Sequence, residues 1–288
     1  TGQQVGFLGG SLYTFLKISS AISYSKKLKE NHADYNFIPV FWIEDNDHDM
    51  LEASLAVLLD KAYNLKHFFC SDDLSKEDIT PVSEKVFNQS IVAIIQNISS
   101  DLMDLPYFNE IKENIEKFYQ EGNPWTEAFI KLLQEFFAES GILFLRASVA
   151  RKSGAFAEVI KKELSEIGFS HKIIEKGNAK LLENGYKLQA RSFILNLFYH
   201  QGDNRHKIKF NADLNTFQFD DNNISLKELQ ELAENNPENF SPSVLLRNIC
   251  QDYILPNVAY IGGPSELSYS AQLPELYSAF QIDMPAFI

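Results

Sequence analysis

Residues 1–17 read TGQQVGFLGGSLYTFLK, and this stretch decides the fold. Its glycines at 2, 6, 9 and 10 let the backbone approach a ligand closely. Leu12, Phe15, Leu16, Ile18 and Ile22 then recur near the helical period and lead to a basic KKLK, so the loop launches a helix. A helix start offers amide N–H groups and a positive dipole end to an anion. The spacing fits neither G-x-G-x-x-G nor the Walker pattern with its G-K-[ST]. Tyr13 and Lys17, at i and i+4, put a phenol and an ammonium on one face near that start. A tight turn followed by a solvated lysine accounts for the same residues equally well.

The next segment outward, FIPVFWI at 37–43, is almost continuously apolar and ends in EDNDHD. This is the pattern of a buried parallel strand that delivers polar groups at its C-terminal end. Loop, helix and strand thus follow one another as in half of a βαβ unit. Ligands of open parallel sheets bind beyond the carboxyl ends of the strands, where Glu44, Asp45, Asp47, His48 and Asp49 crowd. Such a group can ligate a divalent cation, orient His48 as a general base, or hold an amine. Capping of the following helix explains one or two of the acids. Asp47, His48 and Asp49 therefore carry the functional expectation, and Glu44 and Asp45 the structural one.

Farther along, SLAVLL and NLKHFFC read as a hairpin around DKAY, and residues 82–138 are mostly helical in pattern, broken by Pro106 and EGNP. GILFLR with GAFAEVIKKEL repeats the strand–helix order. RSFILNLFYHQ, HKIKF and NTFQF, separated by turns, predict antiparallel strands, and SLKELQELAENNP a short helix. Ser241-Pro242 is expected to cap the helix VLLRNICQDYIL. NVAYI reads as a strand, GGP as a turn, and the segment after Pro264 as a helix with Leu267, Ala271 and Leu276 inward. Arg247 and Gln251 share a face at i and i+4, suited to a polar ligand or to a satisfied surface pair. Glu266, in the first turn after Gly262-Gly263, is placed to accept ribose hydroxyls or to complement the helix dipole.

Composition bounds the function. The 288 residues, 45% hydrophobic, suffice for a sizeable α/β core, and 39 acidic against 26 basic residues give a net charge of −13. That charge repels nucleic-acid backbones and anionic membranes. No apolar run approaches the roughly 18 residues of a membrane span, and no secretory signal is visible. Cys70 and Cys250 are too few for a disulfide framework and read as core residues, which makes the cytoplasm the expected compartment. His32, His67, His171, His200 and His206 show no ligand spacing. The chain opens inside a glycine loop without Met, so the natural protein is expected to be longer and the strand feeding that loop to be missing.

TGQQVGFLGGSLYTFLK, PVFWIEDNDHD, LLRNICQDYILPNVAYIGGPSELSYSAQL and the closing MP, in this order, closely resemble the bacillithiol-biosynthesis cysteine-adding enzyme family, the BshC cysteine ligases. Ser11 departs from the family's GGPLYT, and Asn46 stands where the family usually has a glutamate. The resemblance implies an α/β fold: a Rossmann-like parallel-sheet core similar to class I aminoacyl-tRNA synthetases. It further implies a single core over 1–288, with a helical insertion at about 71–138 and an antiparallel β insertion at about 171–235. Family members also carry a segment before the core and a coiled coil after it, so the full-length parent is expected to be a homodimer.

The implied reaction joins the cysteine carboxyl group to the amine of glucosaminyl malate, the last step of bacillithiol synthesis, with ATP activating the carboxylate and Mg as an accessory. On that reading Asp47, His48, Asp49 and Lys17 are catalytic, and Gly9, Gly10, Gly262, Gly263 and Glu266 seat the nucleotide. Gln3, Gln4, Tyr13, Thr14, Trp42, Arg247 and Gln251 contact the substrates. Two other classes stay open: a nucleotide- or small-molecule-binding module without turnover, and a phosphoryl transferase with Mg²⁺ between Asp45, Asp47 and Asp49.

Overall fold

A computed structural model describes residues 1–60, 62–75, 77–102 and 105–288. The chain divides into two compact units, Thr1–Ser148 and Val149–Ile288.

In the first unit β1 (Gly2–Gln4) leads through a 3-10 turn into α1 (Leu12–Asn31), then β2 (Val40–Glu44) and α2 (Met50–Ser54). The hairpin of β3 (Leu55–Leu59) and β4 (Leu65–Phe69) follows as read from the sequence, although Lys61 of its turn lies outside the described residues. Three helices come next, α3 (Ser90–Leu102), α4 (Phe108–Phe118) and α5 (Trp125–Phe137), before β5 (Leu143–Arg146). The sheet order is β1-β2-β5, all parallel, with Gln4 opposite Glu44 and Ile43 opposite Arg146. Because β2 is central, Phe41, Trp42 and Ile43 are all buried, the continuous run a strand covered on both faces requires. Ile18, Ile43, Ile91, Phe129 and Leu133 belong to the core of this unit, each contributing about 1.5–3 kcal/mol by leaving water.

Two expectations change here. TGQQ is not a loop awaiting a strand: it is the strand, paired with β2 from Gly2 to Gln4. Gly2 fits because a Cβ there would stand 2.8 Å from the Trp42 carbonyl oxygen. The inward face of α1 is also rotated from the apolar periodicity. Thr14, Lys17, Ile18, Ala21 and Ile22 are buried, whereas Leu12 and Leu16 are exposed.

In chain order from the unit boundary come α6 (Ala147–Lys152), within which that boundary falls, α7 (Ala157–Glu163) and α8 (Phe169–Glu183). The α8 helix occupies residues where antiparallel strands were expected to begin. It buries Ser170, Ile174, Gly177 and Asn178 at helical spacing, a polar-lined face that an apolar pattern does not reveal. The strands start later, with β6 (Leu197–Gln201), β7 (Asn204–Lys207), β8 (Lys209–Asn211), β9 (Thr216–Phe219) and β10 (Asn222–Ile224). Next are α9 (Leu226–Asn235), whose capping box joins Ser225 and Glu228, β11 (Phe240–Pro242) and α10 (Val244–Ile254). Ser241 and Pro242 lie in β11, so the cap position of α10 falls to Ser243.

The chain continues through β12 (Ala259–Tyr260), α11 (Pro264–Ser270), α12 (Pro274–Phe280) and β13 (Ala286–Phe287). One helix was expected after Pro264. A turn before Pro274 divides it, leaving Leu267 and Ala271 exposed and Leu276 buried. Two antiparallel sheets, β11-β6-β7 and β10-β9-β8, accompany a parallel pair of β12 and β13. Ile160, Phe217, Leu245, Ile249 and Leu276 are fully buried in this unit. Cys70 and Cys250 are both buried thiols, and burial pushes that of Cys70 well above its ordinary range.

Glu163 makes the folding of the second unit depend on pH. Its carboxylate accepts hydrogen bonds from Ser170 Oγ (2.7 Å) and the Asn196 amide (3.1 Å), while Oε2 is buried without a partner among the described residues. Burial pushes its pKa from 4.5 up to about 7. The folded chain therefore holds a proton that the unfolded chain has lost between those values, and stability falls as pH rises through that window. Glu163→Gln is expected to remove about 3 kcal/mol of that pH dependence. Urea unfolding of parent and variant at about pH 5 and about pH 8 measures the difference; identical pH dependence in the two proteins refutes it.

Candidate functional site

The carboxyl edge of the β1-β2-β5 sheet carries both of the early motifs. Since β1 and β2 are parallel and in register, the chain leaves both strands at the same edge. The 3-10 turn after β1 closes tightly: a Cβ on Gly6 would come within 2.6 Å of Gly10 Cα, and Gly9, at φ +86°, lies against the Phe15 ring. These glycines thus serve chain-to-chain packing. At the start of α1, Ser11 makes no side-chain cap. Thr14, only 1% exposed, keeps its hydroxyl without a partner among the described residues.

Lys17 points inward. It is 2% exposed, and its ammonium donates to the Gly2 carbonyl (2.5 Å) and to Gln3 Oε1 (3.0 Å). It also lies 5.6 Å from the centre of the Tyr13 ring, so the expected phenol–ammonium face forms as a cation–π contact. The ammonium ties α1 to the backbone of β1.

After β2 the acids separate into distinct tasks. Trp42 Nε1 donates to Glu44 (3.1 Å). Asp45, fully buried, accepts from Arg146 Nε (2.8 Å), the Ser148 amide (2.8 Å) and Ser148 Oγ (2.7 Å), and Arg146 in turn reaches Glu127. Asp45 is therefore a clamp between the ends of β2 and β5. Asn46 is buried. Asp47 accepts from Gln4 Nε2 and from the His48 amide (2.7 Å), while its carbonyl is held by the Val82 amide (2.8 Å). Asp49 caps α2 by accepting from the Glu52 amide (3.1 Å). Burial, then Asp49, then Asp47 raise the Glu52 carboxyl above its usual range, so the negative potential of these two aspartates reaches a neighbouring carboxylate.

Asp47, His48 and Asp49, with Met50, Leu51 and Ser75, line a cleft of about 420 Å³. Ser75 and Arg146 escaped the sequence reading. Arg146 lies 101 residues from Asp45, and no local signal links the two. Among the described residues no three His, Cys, Asp or Glu side chains are grouped to hold a metal ion. The arrangement of Asp45, Asp47 and Asp49 around Mg²⁺ is not formed, because Asp45 is spent on Arg146 and Ser148 and Asp49 on the α2 cap.

The second unit holds a separate polar cluster on α10. Arg247 donates to Gln251 Oε1 (3.3 Å) and to the Tyr269 hydroxyl (2.8 Å). Gln251 in turn donates to Asp252, which also receives the Tyr277 hydroxyl and Asn257. Burial raises the Asp252 carboxyl above its usual range despite these donors. Glu266 accepts from the Gly263 amide (2.7 Å) and the Tyr260 hydroxyl (2.9 Å), the helix-start role foreseen as one of its two readings. Gly262 packs against the Tyr260 ring. Three tyrosines, Tyr260, Tyr269 and Tyr277, supply the hydroxyls of this network.

A glycine turn between a short parallel strand and a helix, with an acidic cleft at the next strand's carboxyl end, defines a Rossmann-like α/β protein. Residues 1–288 match the family model "Bacillithiol biosynthesis BshC, N-terminal Rossmann-like domain", and the chain belongs to that family. Three curated relatives are each named "Putative cysteine ligase BshC". The protein of Chlorobaculum tepidum is 34% identical over 290 residues, covering 100% of this chain and 51% of the relative. That of Chloroherpeton thalassium is 33% identical over 286 residues (99% and 51%), and that of Cytophaga hutchinsonii 30% over 286 residues (99% and 51%). The chain spans about half the length of these relatives. Among the described residues no helix is long and apolar enough to cross a membrane.

Proposed function

We propose that this chain forms the activating part of a cytoplasmic cysteine ligase that joins the cysteine carboxyl group to the amine of glucosaminyl malate at the expense of ATP. The observation that carries the reading is the hydrogen bond between Gln4 and Asp47, which ties the end of β1 to the acidic turn after β2. It couples the glycine turn to the Asp47–His48 cleft at the sheet edge where α/β proteins bind ligands.

Amide formation from a free carboxylate is uphill, and ATP supplies the activation: the carboxylate oxygen attacks the α-phosphorus, pyrophosphate leaves, and an acyl adenylate results. The amine then attacks the acyl carbon, AMP leaves, and the amine loses a proton. The first turn of α1, with its amides and the buried Thr14 hydroxyl, offers donors to phosphate oxygens. Lys17 works from below by fixing the β1 backbone. Asp47 holds the cysteine ammonium, and His48 takes the proton of the attacking amine. In the second unit, considered by itself, Arg247 is suited to a carboxylate.

Exchange of labelled pyrophosphate into ATP by the full-length protein tests the reading. Label is expected in ATP only when cysteine is present. Release of orthophosphate and ADP instead, or nucleotide binding without turnover, overturns it in favour of a phosphoryl transferase or a binding module.

A further inference from the structure

The second unit carries a cationic cluster that the ligase reading does not use. Arg191 and Lys207 address one aromatic ring: the Arg191 guanidinium carbon lies 5.7 Å from the centre of Phe193, and Lys207 Nζ lies 3.1 Å from it. Lys209 follows across the buried Ile208 and adds a third positive charge within electrostatic reach of Lys207. Among the described residues no carboxylate pairs with any of the three. In a chain with 39 acidic and 26 basic residues, three gathered cations without a counter-charge are an unfavourable arrangement.

The nearby Arg205 is a contrast. It stacks 3.8 Å from the Phe198 ring centre but is buried, and its donors are taken by Ser241 Oγ and the Pro242 carbonyl. Burial, then Arg191, then Lys209 hold the Lys207 ammonium below the ordinary lysine range. A bound anion relieves that repulsion, and the cation–π contacts with Phe193 hold two of its donors in place beforehand.

We propose that Arg191, Lys207 and Lys209 form a binding site for a small dianion, the shared chemistry of a phosphate group and a dicarboxylate. Three cations match a small anion, and the net charge of −13 disfavours a long polyanion such as nucleic acid. The site lies wholly in the second unit and does not depend on the ligase reading.

The test is a side-chain NMR titration of the 288-residue chain at low ionic strength, with inorganic phosphate and malate added in separate experiments. Saturable shifts of the Lys207 ammonium signals and a rise of its pKa are expected with at least one of them, and the tighter binder identifies the source of the dianion. Arg191→Gln and Lys207→Gln should each weaken that binding by about tenfold, and added salt should suppress it. Both positions are at least partly exposed, so the variants are expected to stay folded, which circular dichroism checks. No saturable shift with either anion, or undiminished affinity in the folded double variant, refutes the site.

Discussion

Asp45→Ala is expected to lower the unfolding free energy by about 3–5 kcal/mol, the cost of removing one partner from a buried ion pair. The aspartate is 0% exposed, and its oxygens receive the Arg146 guanidinium together with the amide and hydroxyl of Ser148. Removing it leaves a donor amide and a hydroxyl buried without an acceptor, and frees Arg146 from the end of β2. Asp45→Asn keeps the shape and part of the hydrogen bonding, so its loss should be smaller. Denaturant unfolding of the two variants measures both. If Asp45→Ala unfolds within 1 kcal/mol (about fivefold in equilibrium constant) of the parent, the clamp does not hold the β2 and β5 ends together.

His48→Ala in the full-length protein is expected to reduce product formation by about 10²–10⁴-fold, the range lost with a general base. The side chain lines the cleft beside Asp47 and Asp49, and its backbone amide is fixed by Asp47. The residue is only half-buried, so the fold should survive, with the unfolding midpoint close to that of the parent. Mass-spectrometric measurement of the cysteinyl product gives the rate. Cysteine-dependent pyrophosphate exchange should persist in this variant, because proton removal belongs to the second half-reaction. Unimpaired product formation takes His48 out of the chemistry; loss of both half-reactions places it in cysteine binding instead.

The acidic turn shows how far local sequence reaches. Its place at the end of a buried strand followed from FWI running into EDNDHD, because a strand covered on both faces must be apolar throughout and polar where it emerges. Its division of labour did not follow. Asp45, Asp47 and Asp49 have the same chemistry and alternate along one turn, yet one is an internal clamp, one is tied to Gln4, and one caps a helix. The partners decide, and those of Asp45 lie on β5 and the residues after it.

The α1 helix gives the same lesson with an opposite outcome. Its existence was legible from the glycine turn and the apolar spacing, but spacing placed Leu12 and Leu16 on the apolar face and left Lys17 open between a ligand-facing and a solvated position. In the folded unit Lys17 is buried and the two leucines are exposed, because the Gly2 carbonyl and Gln3 side chain offer the ammonium hydrogen bonds in place of water. Sequence alone determined the loop–helix–strand order from Gly6 to Glu44, the parallel character of β2 and the edge at which the acids emerge, since these rest on periodicity and on residues adjacent in the chain. Only the tertiary structure decided which charges are structural and which line the cleft, since a charge is buried or exposed according to partners brought to it from distant segments.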